Sequence, residues 1–517
     1  MEVLKVTADS DNAKDLYPLL AQHVDKLNEQ FLEIVITWFR SEYDRDRPET
    51  NQAIGSVLYK LAFDIQQLPL GSRANNIEIA IACYEAVLEV FSREAFPLDW
   101  ATTQNNLGTA YHYRIRGERA ENLEIAIACY REALKVYTRE AFLQDWATTQ
   151  NNLGLAYSDR IIGERAENIE IAIACYREAL KVYSPEAFPQ DWAMIQNNLG
   201  NAYSNSSIRG ERADNIEIAM ACYREAVKVY SPEAFPQDWA MIQNNLGNAY
   251  SNSSIRGERA DNIEVAIACY REALKLYKPE AFPQYWATTQ NNLAAAYNYR
   301  IKGERADNIE IAIAYYYKAL TVRTRDAFPE DWAVTQLYLG DTLIDRFEIS
   351  HQKEDIERAI ALYTEVLDGY EQPSLMLSRP RIFYKLGKAL SRRGSYPQAI
   401  EALEQCRILL EKKVDLSLLA LAFFELARLY HNIHRLEKAR LYYKDTLRLF
   451  RRLEDRESVA DVAVALGNLE LQIGRFEQAK ERLEEVRKYY EAKDRQDRLE
   501  EIDRLLELLC KPSMAII

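Results

Sequence analysis

The sequence predicts an all-α fold, a solenoid of about ten helix–turn–helix repeats with capping helices at the N- and C-terminal ends. Glycine and proline are scarce, at 17 and 15 of 517 residues, and 48% of the chain is hydrophobic, which favours packed helices. A similar stretch of sequence recurs around six tryptophans that lie 46 or 47 residues apart. A fixed period of this length is typical of stacked repeats. The tryptophans are Trp100, Trp146, Trp192, Trp239, Trp286 and Trp332.

Each period contains two helical segments separated by a polar loop. In residues 100–145, Trp100, Leu107 and Tyr111 follow the spacing of one helical face, and a polar loop follows at 116–119. A second apolar stripe with steps of three and four residues comes after the loop. We therefore expect two antiparallel helices in each repeat.

The connector before each new repeat carries a helix start signal. Proline is favoured at the first position of a helix, where its missing N–H costs nothing. The phenylalanine before the proline is placed to pack on the new helix as a hydrophobic staple. The pair occurs as Phe188-Pro189, Phe235-Pro236 and Phe282-Pro283. We expect each tryptophan, one turn later, to pack structurally against the preceding helix.

The change of period along the chain predicts five segments. They are N-terminal capping helices at 1–47, seven long-period repeats at 48–346, the second helix of the seventh repeat with a linker at 347–378, three shorter repeats at 379–490, and a C-terminal capping helix with a tail at 491–517.

Composition restricts the classes of partner. The net charge of −14 disfavours binding to a phosphate backbone, so we expect no nucleic acid. No apolar run approaches the ~18 residues of a membrane span, and the first residues lack the pattern of a signal peptide. The sequence therefore predicts a cytoplasmic protein that does not contact a membrane.

The cysteines predict neither disulfides nor a metal site. Five of the seven hold the same place in successive repeats, where neighbours lie farther apart than the ~7 Å limit for a disulfide. We expect them to be small buried residues in a reducing compartment. There is also no Gly-rich phosphate loop and no His-x-x-x-His pair, so we predict no cofactor, no metal and no enzymatic activity. The five are Cys83, Cys129, Cys175, Cys222 and Cys269.

The repeats resemble the tetratricopeptide (TPR) family. Leu107-Gly108 and Tyr111, followed by Ala126, Tyr130 and Ala133, match its Leu-Gly-x-x-Tyr, Ala, aromatic, Ala consensus, and the set recurs in later repeats. The period of 46 or 47 residues exceeds the usual 34 of that family. The resemblance implies a right-handed superhelix whose first helices line a concave groove. It also implies a non-catalytic scaffold that binds a protein or peptide segment in that groove.

The long-period block also resembles cyanobacterial arrays that precede a caspase-like CHAT protease domain. The residues that carry this resemblance are Gln67-Leu68-Pro69-Leu70-Gly71 and Asn76-Ile77-Glu78. It implies an alternative function, which is that of a sensor or regulatory arm for a separately encoded effector. A caspase-like CHAT protease would be one such effector. The partner, the pathway and the oligomeric state do not follow from the sequence.

By the register of the family, a set of first-helix residues faces the groove. Kinesin light chains have a similar Asn-Asn-Leu segment, and an array of side-chain amides can bind the backbone of an extended peptide. The alternative is that these asparagines bond to neighbouring groups of the fold. The predicted groove residues are Asn105, Asn151, Asn197, Asn201, Asn244, Asn248, Asn291, Asn298, Tyr113 and Tyr299.

A basic face in the shorter repeats is a second candidate site. Arg381, Lys388 and Arg392 share one face of a helix, and Arg428 holds the matching position in the next repeat. This set resembles the basic clamps with which some TPR domains hold a carboxylate, although the spacing of those clamps is not reproduced. The alternative is a solvated face paired with nearby glutamates.

Overall fold

A computed structural model describes residues 2–9, 13–44, 46–206, 212–253, 258–369, 379–411 and 415–510. Throughout these ranges the regular secondary structure is helical, and consecutive helices pack in pairs. The chain divides into two compact units, Met1–Tyr277 and Lys278–Ile517. The predicted all-α repeat fold is confirmed. Residues 370–378 of the predicted linker and 511–517 of the predicted tail lie outside the described ranges.

The first unit begins with short helices and continues with five helix pairs. The N-terminal segment contains Glu2–Asp9, Ala13–Gln22, the 3-10 turn Val24–Lys26, and Glu29–Glu42. The five pairs are Pro48–Gln67 with Arg73–Val90, Pro97–His112 with Arg119–Ala133, Leu143–Asp159 with Arg165–Ala179, Pro189–Ser204 with Arg212–Val229, and Pro236–Asn252 with Arg259–Leu276.

The described residues of the second unit form five further pairs and a last helix. The pairs are Pro283–Asn298 with Arg305–Leu320, Pro329–Ser350 with Lys353–Asp368, Arg379–Arg393 with Tyr396–Glu411, Leu416–Asn432 with Leu436–Arg452, and Arg456–Gln472 with Phe476–Glu491. The last helix is Gln496–Cys510. Helix Pro329–Ser350 continues beyond the predicted boundary at 346, because no proline or glycine follows Gly340 before the helix ends.

The Phe-Pro connectors start helices as the sequence predicts. Pro189 is the first residue of its helix, and Phe188 before it is the N-cap. The carbonyl oxygen of Phe188 accepts the N–H of Trp192 at 2.9 Å. The Phe188 ring meets Tyr183 of the preceding connector edge to face, with 5.3 Å between centroids. The phenylalanine thus fixes the approach of the chain to the new helix.

A glycine in the first helix lets the second helix of the same repeat approach closely. A Cβ atom built on Gly154 would lie 2.7 Å from Cε1 of Tyr176, well inside contact distance. A Cβ atom built in the same way would lie 2.6 to 2.9 Å from a tyrosine ring atom of the second helix at four other glycines. They are Gly108, Gly200, Gly247 and Gly340. The repeated Leu-Gly therefore fixes the spacing within these five helix pairs.

The tryptophans pack in the walls of the repeats. Trp100 and Trp146 lie against a buried cluster of Ala101, Ala133 and Tyr137. Trp332 in the second unit is 7% exposed. This packing agrees with the structural role that the sequence indicates.

The repeated cysteines are buried and free in the described part of the chain. Burial raises the pKa of the Cys83 and Cys129 thiols to about 12, so both are protonated at neutral pH. A buried, protonated thiol is a poor nucleophile and a poor metal ligand, which fits a packing role.

The first helices of successive repeats form one layer. Helix Leu143–Asp159 contacts Pro97–His112 on one side and Pro189–Ser204 on the other. In the second unit, helix Arg379–Arg393 contacts Pro329–Ser350 and Leu416–Asn432 in the same way. A surface made by first helices is therefore continuous from repeat to repeat within each unit. None of the described helices has the length and apolar character needed to cross a membrane.

Candidate functional site

In three of the Asn-Asn-Leu segments, the first asparagine bonds to the next repeat. The Oδ1 atom of Asn151 accepts a hydrogen bond from Nδ2 of Asn198 at 3.1 Å. The same bond joins Asn105 to Asn152 at 3.2 Å and Asn197 to Asn245 at 3.0 Å. These amides link neighbouring first helices within the first unit.

Several of the predicted groove asparagines are buried. Asn151 and Asn197 are 3% and 4% exposed, and Asn291 and Asn298 are also buried. A peptide in the groove would reach them only by displacing their neighbours. Asn151, Asn197 and Asn298 bond to neighbouring groups of the fold, which fits the structural alternative. The buried Oδ1 atom of Asn291 has no hydrogen-bond partner among the described residues, and Asn105 and Asn244 are half-buried.

Asn201 and Asn248 serve the helix pair to which they belong. The hydroxyl of Tyr223 donates to Oδ1 of Asn201 at 2.7 Å, and Tyr270 bonds to Asn248 in the same way. A buried tyrosine hydroxyl needs such an acceptor, because leaving it unpaired costs free energy. Both asparagines are half-buried.

Two of the predicted groove residues are clearly exposed. Tyr113 and Tyr299 are 52% and 53% exposed, and each lies at the C-terminal end of a first helix. The ring of Tyr113 also packs against His112, with 4.8 Å between centroids. Of the predicted set, these two tyrosines are the most accessible to a ligand.

The basic face opens into a cleft of about 530 Å³ in the second unit. Its walls come from the first helices Pro329–Ser350, Arg379–Arg393 and Leu416–Asn432, with Tyr363 from a second helix. Three of the four predicted clamp residues line it, and they are Arg381, Lys388 and Arg392. The spacing of the sequence thus identified a set of side chains that meet in one cleft.

The cations of the cleft differ in how strongly they are neutralised. Lys385 forms an ion pair with Asp341, and Arg392 lies 2.6 Å from Glu348. The ammonium group of Lys388 lies 5.5 Å from the ring centroid of Tyr384 and, within the described residues, has no carboxylate partner. Arg381 likewise forms no ion pair there and is exposed. Lys388 and Arg381 are thus the charges left available to an anion.

Apolar and polar groups complete the walls of the cleft. Ile344, Leu418 and Leu421 provide apolar surface. Asp345 also lines it, and burial raises the pKa of that carboxyl group above its usual value. The cleft therefore combines cations, a carboxyl group with a raised pKa, and apolar surface.

Arg428 lies apart from the other three predicted clamp residues. Its guanidinium lies 3.5 Å from Glu425 on its own helix, and it is not one of the residues that line the cleft. Lys385 and Asp415 line the cleft but were missed, because their positions depend on how neighbouring helices pack.

Models of the tetratricopeptide repeat match residues 100–140 and 417–492. Models of the Sel1 repeat match four segments between them, at 147–181, 193–228, 240–277 and 287–321. No curated protein matches the sequence.

Solved structures with a similar fold include the apo form of the quorum sensor NprR from B. thuringiensis. It has a TM-score of 0.50 and 14% identity, over 75% of this chain and 96% of that one. Another is a signal transduction ATPase with numerous domains from Pyrococcus horikoshii, which has a tetratricopeptide repeat sensor. Its TM-score is 0.44 and its identity 13%, over 95% of this chain and 79% of that one. Aspartyl phosphate phosphatase F from Bacillus subtilis has a TM-score of 0.42 and 14% identity, over 82% and 93%. At such identities the similarity to NprR concerns the fold alone.

Proposed function

We propose that the chain, a tetratricopeptide-type repeat protein, is a non-catalytic scaffold that binds a protein or peptide segment on its first helices. We propose further that the cleft in the second unit holds a carboxylate of that segment. The observation that carries this proposal is the pair of cations, Lys388 and Arg381, which line the cleft without a carboxylate partner among the described residues.

The chemistry of the cleft selects a carboxylate of a peptide over a bare anion. Charge-assisted hydrogen bonds from Lys and Arg to a carboxylate are about twice as strong as neutral ones. Asp341, Asp345 and Asp415 also line the cleft, so a multiply charged phosphate would meet repulsion that a single carboxylate meets less. Leu418 and Leu421 offer apolar contact to the side chain next to that carboxylate.

A peptide display experiment tests this proposal. Random peptides are presented with free C-terminal carboxylates, and the same peptides are presented as C-terminal amides. A third set has amidated ends and one internal Asp or Glu, which distinguishes a terminal carboxylate from a side-chain carboxylate. We expect the full chain to retain a subset of peptides that carry a carboxylate and to lose them on amidation.

Variants locate the binding in the cleft. The double variant R381Q/K388Q should weaken binding about tenfold or more, because charged hydrogen bonds contribute ~1.5–3 kcal/mol each. R448Q is the matched control, since Arg448 is an exposed arginine of the second unit paired with Asp445. Equal binding of acids and amides, or an unchanged affinity in R381Q/K388Q, would contradict the proposal. Recovery of a single effector enzyme with the full chain would favour the alternative of a regulatory arm.

A further inference from the structure

The last of the ten helix pairs keeps the contact that sets the register of the repeats. A Cβ atom built on Gly467 of its first helix would lie 3.0 Å from the side chain of Leu483 in its second helix. In the seventh pair, which belongs to the same unit, a Cβ atom on Gly340 would meet Tyr363 in the same way. Positions in the two pairs can therefore be compared by their distance from these glycines.

Two positions of the first helix carry large side chains in the seventh pair and small ones in the tenth. Trp332 and Gln336 stand eight and four residues before the glycine of the seventh pair, and both are buried. Val459 and Ala463 stand at the same distances before the glycine of the tenth pair. The tenth pair thus has an isopropyl and a methyl group where the seventh has an indole ring and an amide chain.

The ninth pair has two aromatic rings at the corresponding place. Phe423 holds the first-helix position of Ala463. Tyr442 holds the second-helix position of Arg482, since each comes three residues after the alanine of the family consensus. The rings of Phe423 and Tyr442 meet edge to face, with 5.4 Å between centroids. The tenth pair has neither of these rings.

The tenth pair has instead a pocket of about 580 Å³, which we call the Val459 pocket. It opens between the second helices of the ninth and tenth pairs, beside the first half of helix Arg456–Gln472. Every residue that lines it lies within 415–510, a range that the structure describes without a gap. Its apolar walls are Phe450, Val459, Ala460, Ala463, Val486 and Tyr489.

A fixed guanidinium group forms part of the wall of the Val459 pocket. The Nε and Nη2 atoms of Arg482 donate to the two carboxylate oxygens of Glu470 at 3.1 and 3.3 Å. Glu470 is 1% exposed, so loss of this partner would leave a buried charge. Elsewhere in the unit, the guanidinium of Arg325 lies 5.9 Å from the ring centroid of Trp332. Arg482 can stack on an aromatic ring in the same way.

Acceptors for a hydrogen bond lie at the rim of the Val459 pocket. Glu454 and Glu485 line it, are exposed, and form no ion pair within the described residues. An indole N–H is a donor that seeks an acceptor when its ring is buried. Arg451, Arg456 and Asp455 also line the pocket, so charges of both signs are present and a strongly charged ligand is not favoured.

We propose that the Val459 pocket binds the indole ring of a tryptophan side chain from a protein partner. The ring takes the place that Trp332 holds in the seventh pair. Its faces contact the apolar walls and the guanidinium of Arg482, and its N–H donates to Glu454 or Glu485. The pocket shares no residue with the carboxylate cleft, so this inference does not depend on that proposal.

Binding of a tryptophan probe tests this inference. The probe is N-acetyl-5-fluorotryptophan amide, because its fluorine NMR signal is distinct from the seven tryptophans of the chain. The full chain should shift and broaden this signal in a saturable manner, and unlabelled N-acetyl-tryptophan amide should reverse the effect. N-acetyl-leucine amide should compete about tenfold more weakly, because it lacks the ring that stacks and the N–H that donates.

Substitutions that fill the Val459 pocket locate the binding. V459W/A463Q gives the tenth pair the two residues of the seventh, and A463F gives it the phenylalanine of the ninth. Each should lower the affinity for the probe at least tenfold. K480W is the matched control, because Lys480 is exposed on the same second helix and does not line the pocket. K480W and R381Q/K388Q should bind the probe as the wild type does, and the latter separates this pocket from the carboxylate cleft.

The inference is overturned if the wild-type chain shows no saturable binding, or if the leucine amide competes as well as the tryptophan amide. It is also overturned if the folded V459W/A463Q and A463F variants bind the probe normally. Should V459W/A463Q fail to fold, A463F decides, because the ninth pair accommodates phenylalanine at this position. Sedimentation velocity completes the test, since self-association of the wild type that A463F abolishes would make a second copy of the chain the occupant.

Discussion

The side-chain oxygen of Asn151 accepts a hydrogen bond of 3.1 Å from the side-chain nitrogen of Asn198, a residue 47 positions later in the next first helix. The bond joins two repeats, and Asn151 is only 3% exposed to solvent. Asparagine is unfavourable inside an isolated helix, so a bond of this kind explains why it stands there. The Asn-Asn-Leu segment therefore stabilises the stacking of repeats.

Asn198→Ala should destabilise the first unit by about 1–3 kcal/mol, because it leaves the buried Oδ1 of Asn151 without a donor. Asn151→Ala/Asn198→Ala should cost less than the sum of the single changes. Urea unfolding of the three variants measures this coupling. Asn205→Ala, at an exposed position, should stay within about 0.5 kcal/mol of the wild type. Additive effects of the two changes would show that the amides do not interact.

Gly154→Ala should destabilise its repeat by about 1–3 kcal/mol, since the new methyl group would lie 2.7 Å from the Tyr176 ring. Thermal unfolding of the purified chain measures the loss. The same change in a Tyr176→Leu background should cost less, because the ring that it meets is gone. A wild-type melting temperature for Gly154→Ala would contradict the close approach.

Trp332→Ala should cost about 3–5 kcal/mol in unfolding free energy, as expected for removal of a buried aromatic side chain. Trp100→Ala should cost less, because Trp100 is only half-buried. Urea unfolding followed by circular dichroism compares the two. Equal effects would mean that burial does not decide the contribution of these tryptophans.

Asp159 should make stability depend on pH in the acid range. The hydrogen bond with His112 lowers the pKa of Asp159 below its ordinary value of 3.8, and Arg119 lies 3.2 Å away. A lowered pKa means that the stabilisation is present above the ordinary pKa and is lost as the pH falls through the folded value.

Asp159→Asn should therefore be less stable than the wild type at pH 6, by under about 1 kcal/mol because the carboxylate is half exposed. The difference should close as the pH falls below 3.8 and passes through the lowered pKa of Asp159. Melting temperatures of both proteins across this range provide the measurement. A difference that stays constant with pH would exclude a contribution from the ionised carboxylate.

The basic cleft was partly predictable and the asparagine bonds were not. Arg381, Lys388 and Arg392 share a face because residues on one helix keep a fixed angular spacing, which the sequence displays. The pairing of Asn151 with Asn198 depends on the register between two helices, which no local pattern reveals. Arg428 pairs with Glu425 three residues earlier on its own helix, a spacing that the sequence also displays.

The sequence by itself determined the all-helical repeat, its period and the helix starts at Phe-Pro. These features are local or recur at one period, so periodicity and helix start signals are enough to find them. The tertiary structure alone decided which polar side chains are used within the fold and which remain available. Asn151 illustrates the difference, because its place in an Asn-Asn-Leu segment is visible in the sequence. Only packing shows that its Oδ1 atom accepts a hydrogen bond from Asn198 of the next repeat.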